Sequence, residues 1–335
     1  MPQLVNDAII SQVLNLSRLD ATSKREVLRI LRRMRSELLA ELSTGTISQW
    51  RRERLERALR EANAIIEAAY EEADEYLANV LKGVAEITAR KTAGAISASL
   101  VQIDAVLPSA TMLETLATSA LIDGATLGQW WEQQSQTTKF KFANAVRQGI
   151  AQGESNGQIV SRVRDVIDVA GREAQTLVQT ATSAVSNKAR EAVYEKNSDV
   201  LKGMRWLATL DSHTCPRCGA LDGLMWDMDG KPIGHSTPFT RPPLHFNDRC
   251  VLSPVTKTYK ELGIDLPEPT AGKRASEFGT ESGKTTFSAW LKRQSPEYIE
   301  EVLGKGRAEL WRAGKISLAD LTSGTGRPLT LEELE

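Results

Sequence analysis

Apolar residues recur at helical spacing over most of the first 200 positions. The first such pattern follows Ser23, and Glu26 stands three residues later, which together make a capping-box pair. The apolar stripe then continues as far as Leu42. We therefore predict a first helix that begins at Ser23.

A second and longer stripe runs from Trp50 to Ile87, and no proline follows it before Pro108. This pattern predicts a helix from about residue 50 to about residue 100, roughly 75 Å long at about 1.5 Å per residue. A helix of that length is typical of an extended hairpin or bundle. Shorter helices follow to residue 158, and two more are predicted over 157–169 and 172–197.

The pattern changes after Gly203. Short strand-like runs at 204–210, 224–226 and 250–252 alternate with segments rich in Gly, Pro and Asp. The stretch 266–286 has the composition of a linker. The cap-then-proline pair Ser295 and Pro296 predicts a helix that ends at Gly304.

These patterns predict a mainly α protein with three parts. Residues 1–170 form an extended domain of long helices that docks to a larger assembly. Residues 171–262 form a small α+β module. Residues 263–335 form a linker and a partly extended helical tail.

Composition limits the classes of function. The 335 residues carry a formal net charge of −1, so charge does not point to a nucleic acid or a membrane as partner. Apolar runs stay well below the roughly 20 residues of a membrane span, so we expect no membrane segment. The first residues lack the pattern of a secretory signal, and we expect folding in a cytoplasm.

The chain's three cysteines have the spacing of a metal site. Cys215 and Cys218 form a C-x-x-C knuckle, and His245 and Cys250 follow after a loop. This set matches the Cys₃His ligands of structural zinc, and a module of this size gains stability from such a link. We predict a structural Zn²⁺ held by Cys215, Cys218, His245 and Cys250, and no catalytic residue.

Alternatives to structural zinc remain open. The cysteines could be ordinary buried thiols or a redox pair, and His213 and His235 are spare candidate ligands. A catalytic metal could use Asp211, Asp222 or Asp248, as in a metal-dependent nuclease or hydrolase acting on DNA. Asp211 and Asp222 also fit turns, since each precedes a turn-forming residue.

Arginines cluster between Arg25 and Arg60, and an acidic stretch from Glu61 to Glu75 follows them. Such a pattern is typical of a solvated helix surface with alternating charge. The alternative is a docking surface for an acidic partner or for packaged DNA, as in a DNA-binding ejection factor.

Several motifs of the second half resemble those of phage Mu F-like head morphogenesis proteins, which are minor head proteins of tailed bacteriophages. They are Asp211 to Cys218, Leu221-Asp222-Gly223, Arg241 to His245, Arg249-Cys250, and the tail motifs around Trp290, Gly304 and Trp311. The resemblance covers residues 175–335. Two positions depart from the family pattern, because His213 replaces an arginine and Asp248 replaces a cysteine.

The resemblance implies a minor structural protein of the virion, present in several copies around the portal vertex of the phage head. The implied role is head morphogenesis, DNA packaging or DNA ejection, with assembly in the bacterial host cytoplasm. The implied partner is the portal protein, and the major capsid protein and packaged DNA are further candidates.

Overall fold

The computed structural model describes residues 2–43, 47, 52–100, 103–268, 272–323 and 327–334. Helices account for most of them, which confirms the mainly α prediction. The helices are α1 (Pro2–Leu42), α2 (Arg52–Ser99), α3 (Ala110–Ser119), α4 (Leu127–Ala151), α5 (Asn156–Lys196), α6 (Pro216–Leu221), α7 (Phe287–Leu291), α8 (Pro296–Leu303) and α9 (Lys305–Arg312). The strands are β1 (Leu201–Leu207), β2 (Met225–Trp226), β3 (Pro232–Ile233), β4 (Val251–Thr256), β5 (Lys273–Ser276) and β6 (Gly279–Ser282).

The chain divides into two compact units, and neither is continuous in sequence. The bundle unit contains residues 16–84 and 114–185, and the sheet unit contains residues 1–15, 85–113 and 186–335. Helices α1, α2 and α5 therefore contribute residues to both units. No helix among the described residues is both long enough and apolar enough to cross a membrane.

The bundle unit is built from α1, α2, α4 and α5, packed in that cyclic order. Its core is formed by aliphatic side chains spaced along each helix and by the buried ring of Trp131. Polar contacts between neighbouring helices establish the order. They join Arg33 to Glu72, Tyr70 to Thr138, Lys141 to Glu173, and Lys24 to Gln179.

The predicted start of the first helix is wrong, because α1 already begins at Pro2. Ser23 is a buried residue in the middle of the helix, and its hydroxyl donates to the carbonyl of Leu19 at 3.0 Å. The earlier turns are helical because Val5 and Ile9 pack in the sheet unit, in a core cluster with residues of β1 and β4. Tertiary contacts thus extend the helix beyond the local capping signal.

The two helices predicted over 157–169 and 172–197 are one helix, α5. Gly171 does not end it, because this glycine lies where α5 packs closely against α1. A Cβ atom at Gly171 would lie 3.3 Å from Cδ2 of Leu28. The glycine therefore serves close helix packing.

The sheet unit contains a four-stranded antiparallel sheet in the order β3-β2-β1-β4. The three predicted strands correspond to β1, β2 and β4, and β3 is an additional short edge strand. Gly203 lets β1 approach β2, because a Cβ atom there would lie 2.1 Å from the carbonyl oxygen of Trp226. The end of α5 lies against β4, where the Tyr194 hydroxyl donates to the Leu252 carbonyl at 2.9 Å.

The tail is folded into the sheet unit. Residues 273–282 of the predicted linker form the β5–β6 hairpin, so the linker prediction is wrong there. Helix α8 has Ser295 as its N-cap and Gly304 as its C-cap, as predicted. Together with α7, α9 and a 3₁₀ turn at Ala319–Leu321, it surrounds an apolar core that contains Phe287, Trp290, Leu303 and Trp311.

Candidate metal centre

The Cys-x-x-Cys knuckle forms at the start of α6. Cys215 is the N-cap of this helix, and Pro216 occupies its first turn. The backbone N–H of Cys218 donates to Sγ of Cys215 at 3.4 Å. Local helix-start geometry therefore brings the two sulfurs of the knuckle together.

His245 lies against both sulfurs. Its Nε2 atom is 3.3 Å from Sγ of Cys215 and 3.5 Å from Sγ of Cys218. Its Nδ1 atom is 2.8 Å from the carbonyl oxygen of Phe246, so Nδ1 carries the proton and donates it to that oxygen. Loss of the Nε2 proton would direct the lone pair of that atom to the sulfurs, which is the tautomer that a metal ligand needs.

Cys250 and Asp248 complete the cluster. The ligand atoms of Cys218, Asp248 and Cys250 form a second group in which all three residues are buried, and Cys218 is shared with the group of Cys215 and His245. Cys250 immediately precedes β4, and the Asn187 side chain of α5 donates to its carbonyl at 3.2 Å. The four predicted ligands thus fall into two adjoining groups of ligand atoms that share Cys218, and Cys250 lies in the group without Cys215 and His245.

Asp248 is the residue that the predicted ligand set lacked. Its Oδ1 atom lies 3.7 Å from Sγ of Cys218 and accepts the backbone N–H of Cys250 at 2.8 Å. Its Oδ2 atom accepts the backbone N–H of Leu244 at 2.7 Å. The carboxylate thus fixes the loop between the histidine and the last cysteine. The available sequence signal was that Asp248 stands at a position where the resembled family has a cysteine.

The cluster distributes its protons unevenly. A hydrogen bond from Cys218, reinforced by His245, lowers the pKa of Cys215 to about 4. The hydrogen bond with Cys215 raises the pKa of His245 to about 9, and it also raises the pKa of Cys218. Burial raises the pKa of Cys250 to about 12. Protons on the two buried thiols would therefore have to leave when a metal binds.

The donor set fits zinc. In a tetrahedral site with Zn–S near 2.3 Å and Zn–N near 2.0–2.1 Å, a sulfur and a nitrogen ligand lie about 3.5 Å apart. The two distances from His245 Nε2 to the cysteine sulfurs agree with that spacing. Three sulfurs and one imidazole are also the ligands that structural zinc prefers.

The spare histidines lie outside the cluster. His213 is exposed and belongs to neither group of candidate ligand atoms within the described residues. His235 contacts the edge of the Trp226 ring at 5.0 Å between centroids, and its Nε2 donates to the carbonyl of Met225 at 2.7 Å. His235 therefore supports the β2–β3 region of the sheet.

The other two candidate carboxylates have cationic partners. Asp211 forms a bidentate pair with Arg249 at 2.6 and 2.8 Å. Asp222 forms a fully buried bidentate pair with Arg274 at 2.8 and 2.9 Å. Both carboxylates thus have structural partners of opposite charge.

Residues 140–253 match the family model described as Phage Mu protein F like protein. The matched segment begins in α4, includes α5 and strands β1 to β3, ends within β4, and contains every residue of the metal cluster. Comparisons with curated proteins and with solved structures give no match.

Proposed function

We propose that this chain, whose residues 140–253 are a phage Mu F-like domain, is a minor structural protein of the phage head that acts at the portal vertex. The family match is the observation that carries the proposal. It relates the chain to phage heads, and it covers helices of the bundle as well as the metal centre.

In this proposal the metal centre is structural. Zinc bound by three cysteines and one histidine has no open position for a water molecule, and such closed sites stabilise folds rather than catalyse reactions. The ion would join the knuckle at α6 to the loop before β4, whose ligands lie 27 to 35 residues farther along the chain. The ion-pairing of Asp211 and Asp222 also favours a structural role over hydrolysis.

The portal is the proposed docking partner of the bundle unit. The surface of the bundle unit carries many charged side chains on long helices, and such charges can set the orientation and the specificity of a contact with another protein. The major capsid protein and packaged DNA are secondary candidates. The proposed site of action is the virion.

Purified phage particles test this proposal. Particles of the phage that encodes the chain should contain it, and cross-linking mass spectrometry should join bundle-unit residues to the portal protein. As a control, a deletion phage complemented with the His213→Ala variant should give particles that contain the variant, because that exposed histidine lies outside the cluster. Absence of the chain from complete particles, or cross-links to other head proteins alone, would contradict the proposal.

A nuclease assay distinguishes the proposed structural role from the alternative that the protein is a metal-dependent nuclease. The purified protein should leave duplex DNA intact in the presence of added Mg²⁺, Mn²⁺ or Zn²⁺. Cutting that disappears in the His245→Ala variant and persists in His213→Ala would instead identify a metal-dependent nuclease.

A further inference from the structure

A basic groove lies between α1 and α5 in the bundle unit. It has a volume of about 260 Å³, and Gly171 and Leu28 are among the residues that line it. Arg32, Arg35 and Arg172 also line it, against the single carboxylate of Asp168. Arg35 lies 3.4 Å from Asp168, whereas Arg32 and Arg172 have no ion-pair partner within the part of the chain that the structure describes. The groove therefore has excess positive charge.

An acidic groove of nearly the same size, about 270 Å³, lies between α2 and α4. Four carboxylates line it, against one lysine that already pairs with Glu67 at 2.9 Å. Burial raises the pKa of one of them, Asp74, which has no cationic partner among the described residues. The carboxylates are those of Glu67, Glu71, Asp74 and Glu132.

A buried donor without a partner lines the acidic groove. The Trp131 side chain is 2% exposed, and its indole N–H forms no hydrogen bond with the residues that the structure describes. A buried donor left without an acceptor costs about 1–3 kcal/mol. The wall of the acidic groove thus contains an unmet hydrogen-bond donor in addition to the excess negative charge of the groove.

The two grooves lie on opposite sides of the bundle and at the same level along it. The cyclic order α1, α2, α4, α5 places the α1–α5 pair across from the α2–α4 pair. The ion pair of Arg33 with Glu72 shows the common level, because these residues neighbour Arg32 of the basic groove and Glu71 of the acidic groove. One bundle thus presents opposite charges on two opposite faces.

We propose that the acidic groove of one copy of this chain binds the basic groove of a second copy. Charge complementarity between the two grooves supports this choice of occupant. Because two different faces meet, the contact is heterologous and can repeat from copy to copy, giving a row or a closed ring. The proposal concerns the bundle unit alone and does not depend on the metal centre or on the portal.

A duplex of nucleic acid is the other occupant that the basic groove could take. It would account for Arg32 and Arg172, but it would leave the acidic groove on the opposite face without a partner. A second copy accounts for both grooves. We therefore expect self-association that weakens with salt, since screening shortens the Debye length from more than 10 Å at about 0.05 M to about 4 Å at about 0.5 M.

A charge-swap experiment on the full-length protein tests the contact. Arg32→Glu with Arg172→Glu makes both faces acidic, and Glu71→Lys with Glu132→Lys makes both faces basic. All four side chains are exposed, so both variants should fold, which circular dichroism would verify. Sedimentation velocity at low salt should show self-association of the wild type, at least about tenfold weaker association of each variant alone, and restored association in an equimolar mixture of the two.

Three outcomes would overturn the proposal. The first is a wild type that stays monomeric at low salt. The second is self-association that both variants retain, because another surface would then be responsible. The third is a monomeric wild type that binds duplex DNA and loses that binding in the Arg32→Glu, Arg172→Glu variant, which would assign the basic groove to nucleic acid.

Discussion

The buried pair of Asp222 and Arg274 should be the most sensitive ion pair of the sheet unit. Asp222 follows α6 and accepts four hydrogen bonds, two from Arg274, one from the backbone N–H of Ala208 at 2.7 Å, and one from that of Phe287 at 2.6 Å. The Arg274 side chain is 3% exposed, and that of Asp222 is fully buried. A single carboxylate thus joins the end of β1, strand β5 and the start of α7.

The Asp222→Ala substitution leaves a buried guanidinium without its counter-charge. Breaking such a pair from one side costs about 3–5 kcal/mol. The substitution also removes the acceptor of two backbone N–H groups, at Ala208 and Phe287, and each orphaned buried donor adds about 1–3 kcal/mol. We therefore expect a loss of at least about 3 kcal/mol in the local stability of the sheet unit.

Hydrogen–deuterium exchange followed by mass spectrometry measures this loss where it occurs. Since each 1.4 kcal/mol corresponds to about a factor of ten, amides of β5, β6 and α7 should exchange about 100- to 1,000-fold faster in Asp222→Ala. Peptides from 16–84 of the bundle unit provide an internal reference, because they belong to the other compact unit.

The exposed pair of Arg293 and Glu281 gives a matched control in the same region. These side chains lie 2.7 Å apart but are 56% and 22% exposed, so Glu281→Ala should cost no more than about 1 kcal/mol. Equal exchange rates in Asp222→Ala and the wild type would refute the reasoning. A loss in Glu281→Ala as large as that in Asp222→Ala would also refute it, since burial would then not be the cause.

Four further predictions follow from the same contacts. Elemental analysis should find about one zinc per chain. The zinc should be lost in Cys218→Ser, because both groups of ligands share this sulfur, and retained in His213→Ala. Zinc bound by the Cys218→Ser variant would contradict the assignment. Zinc affinity, measured by competition with a chelator, should rise from about pH 6 to about pH 8, because binding displaces protons from groups with raised pKa values, about 9 for His245 and about 12 for Cys250; a flat profile would count against these ligands. Trp290→Ala should lower the free energy of unfolding in urea by about 3–5 kcal/mol, because this fully buried ring packs on Phe287. The Phe278 side chain is 63% exposed, so Phe278→Ala should cost under about 1 kcal/mol. Equal losses in the two variants would contradict the packing account. Thermal melts should show that Gly203→Ala destabilises the protein by about 1–3 kcal/mol, because the new Cβ atom clashes with the Trp226 carbonyl. Gly83→Ala in α2, where a Cβ atom meets open space, should stabilise the protein by up to about 1 kcal/mol. A stabilising Gly203→Ala together with a destabilising Gly83→Ala would contradict both predictions.

Helical periodicity predicted the long helix α2 and the caps of α8 because the information in both cases is local. An uninterrupted apolar stripe defines α2, and the Ser295-to-Gly304 segment carries its own start and stop signals. Local signals failed to predict helix boundaries that are set by contacts with distant parts of the chain. The capping pair at Ser23 lies inside α1, since the helix is extended by partners more than 190 residues away in sequence.

The linker prediction failed for a similar reason. Residues 273–282 have the polar composition of a loop, yet Arg274 is buried because Asp222, 52 residues earlier, supplies its counter-charge. No local pattern marks such a pair. The clustering of cysteines with a histidine was predictable, because a C-x-x-C pair followed by a histidine and a cysteine has the spacing typical of metal ligands. The part that Asp248 plays in fixing the loop before Cys250 was not predictable, since it depends on backbone N–H groups that only the folded loop brings to the carboxylate.

The discontinuity of the sheet unit has a consequence for the order of events during synthesis. The bundle unit ends at Val185, whereas Val5 and Ile9 pack in a cluster with Leu207 and Val251. Asp7 also accepts the backbone N–H of Lys273 at 2.8 Å, so the partners of the first turns of α1 are synthesised after the bundle unit. At about 5–20 residues per second, the first turns of α1 therefore wait roughly tens of seconds for their partners. The first turns of α1 are thus made well before the residues that bury them, and the folding of the sheet unit is completed only after translation has passed its hairpin.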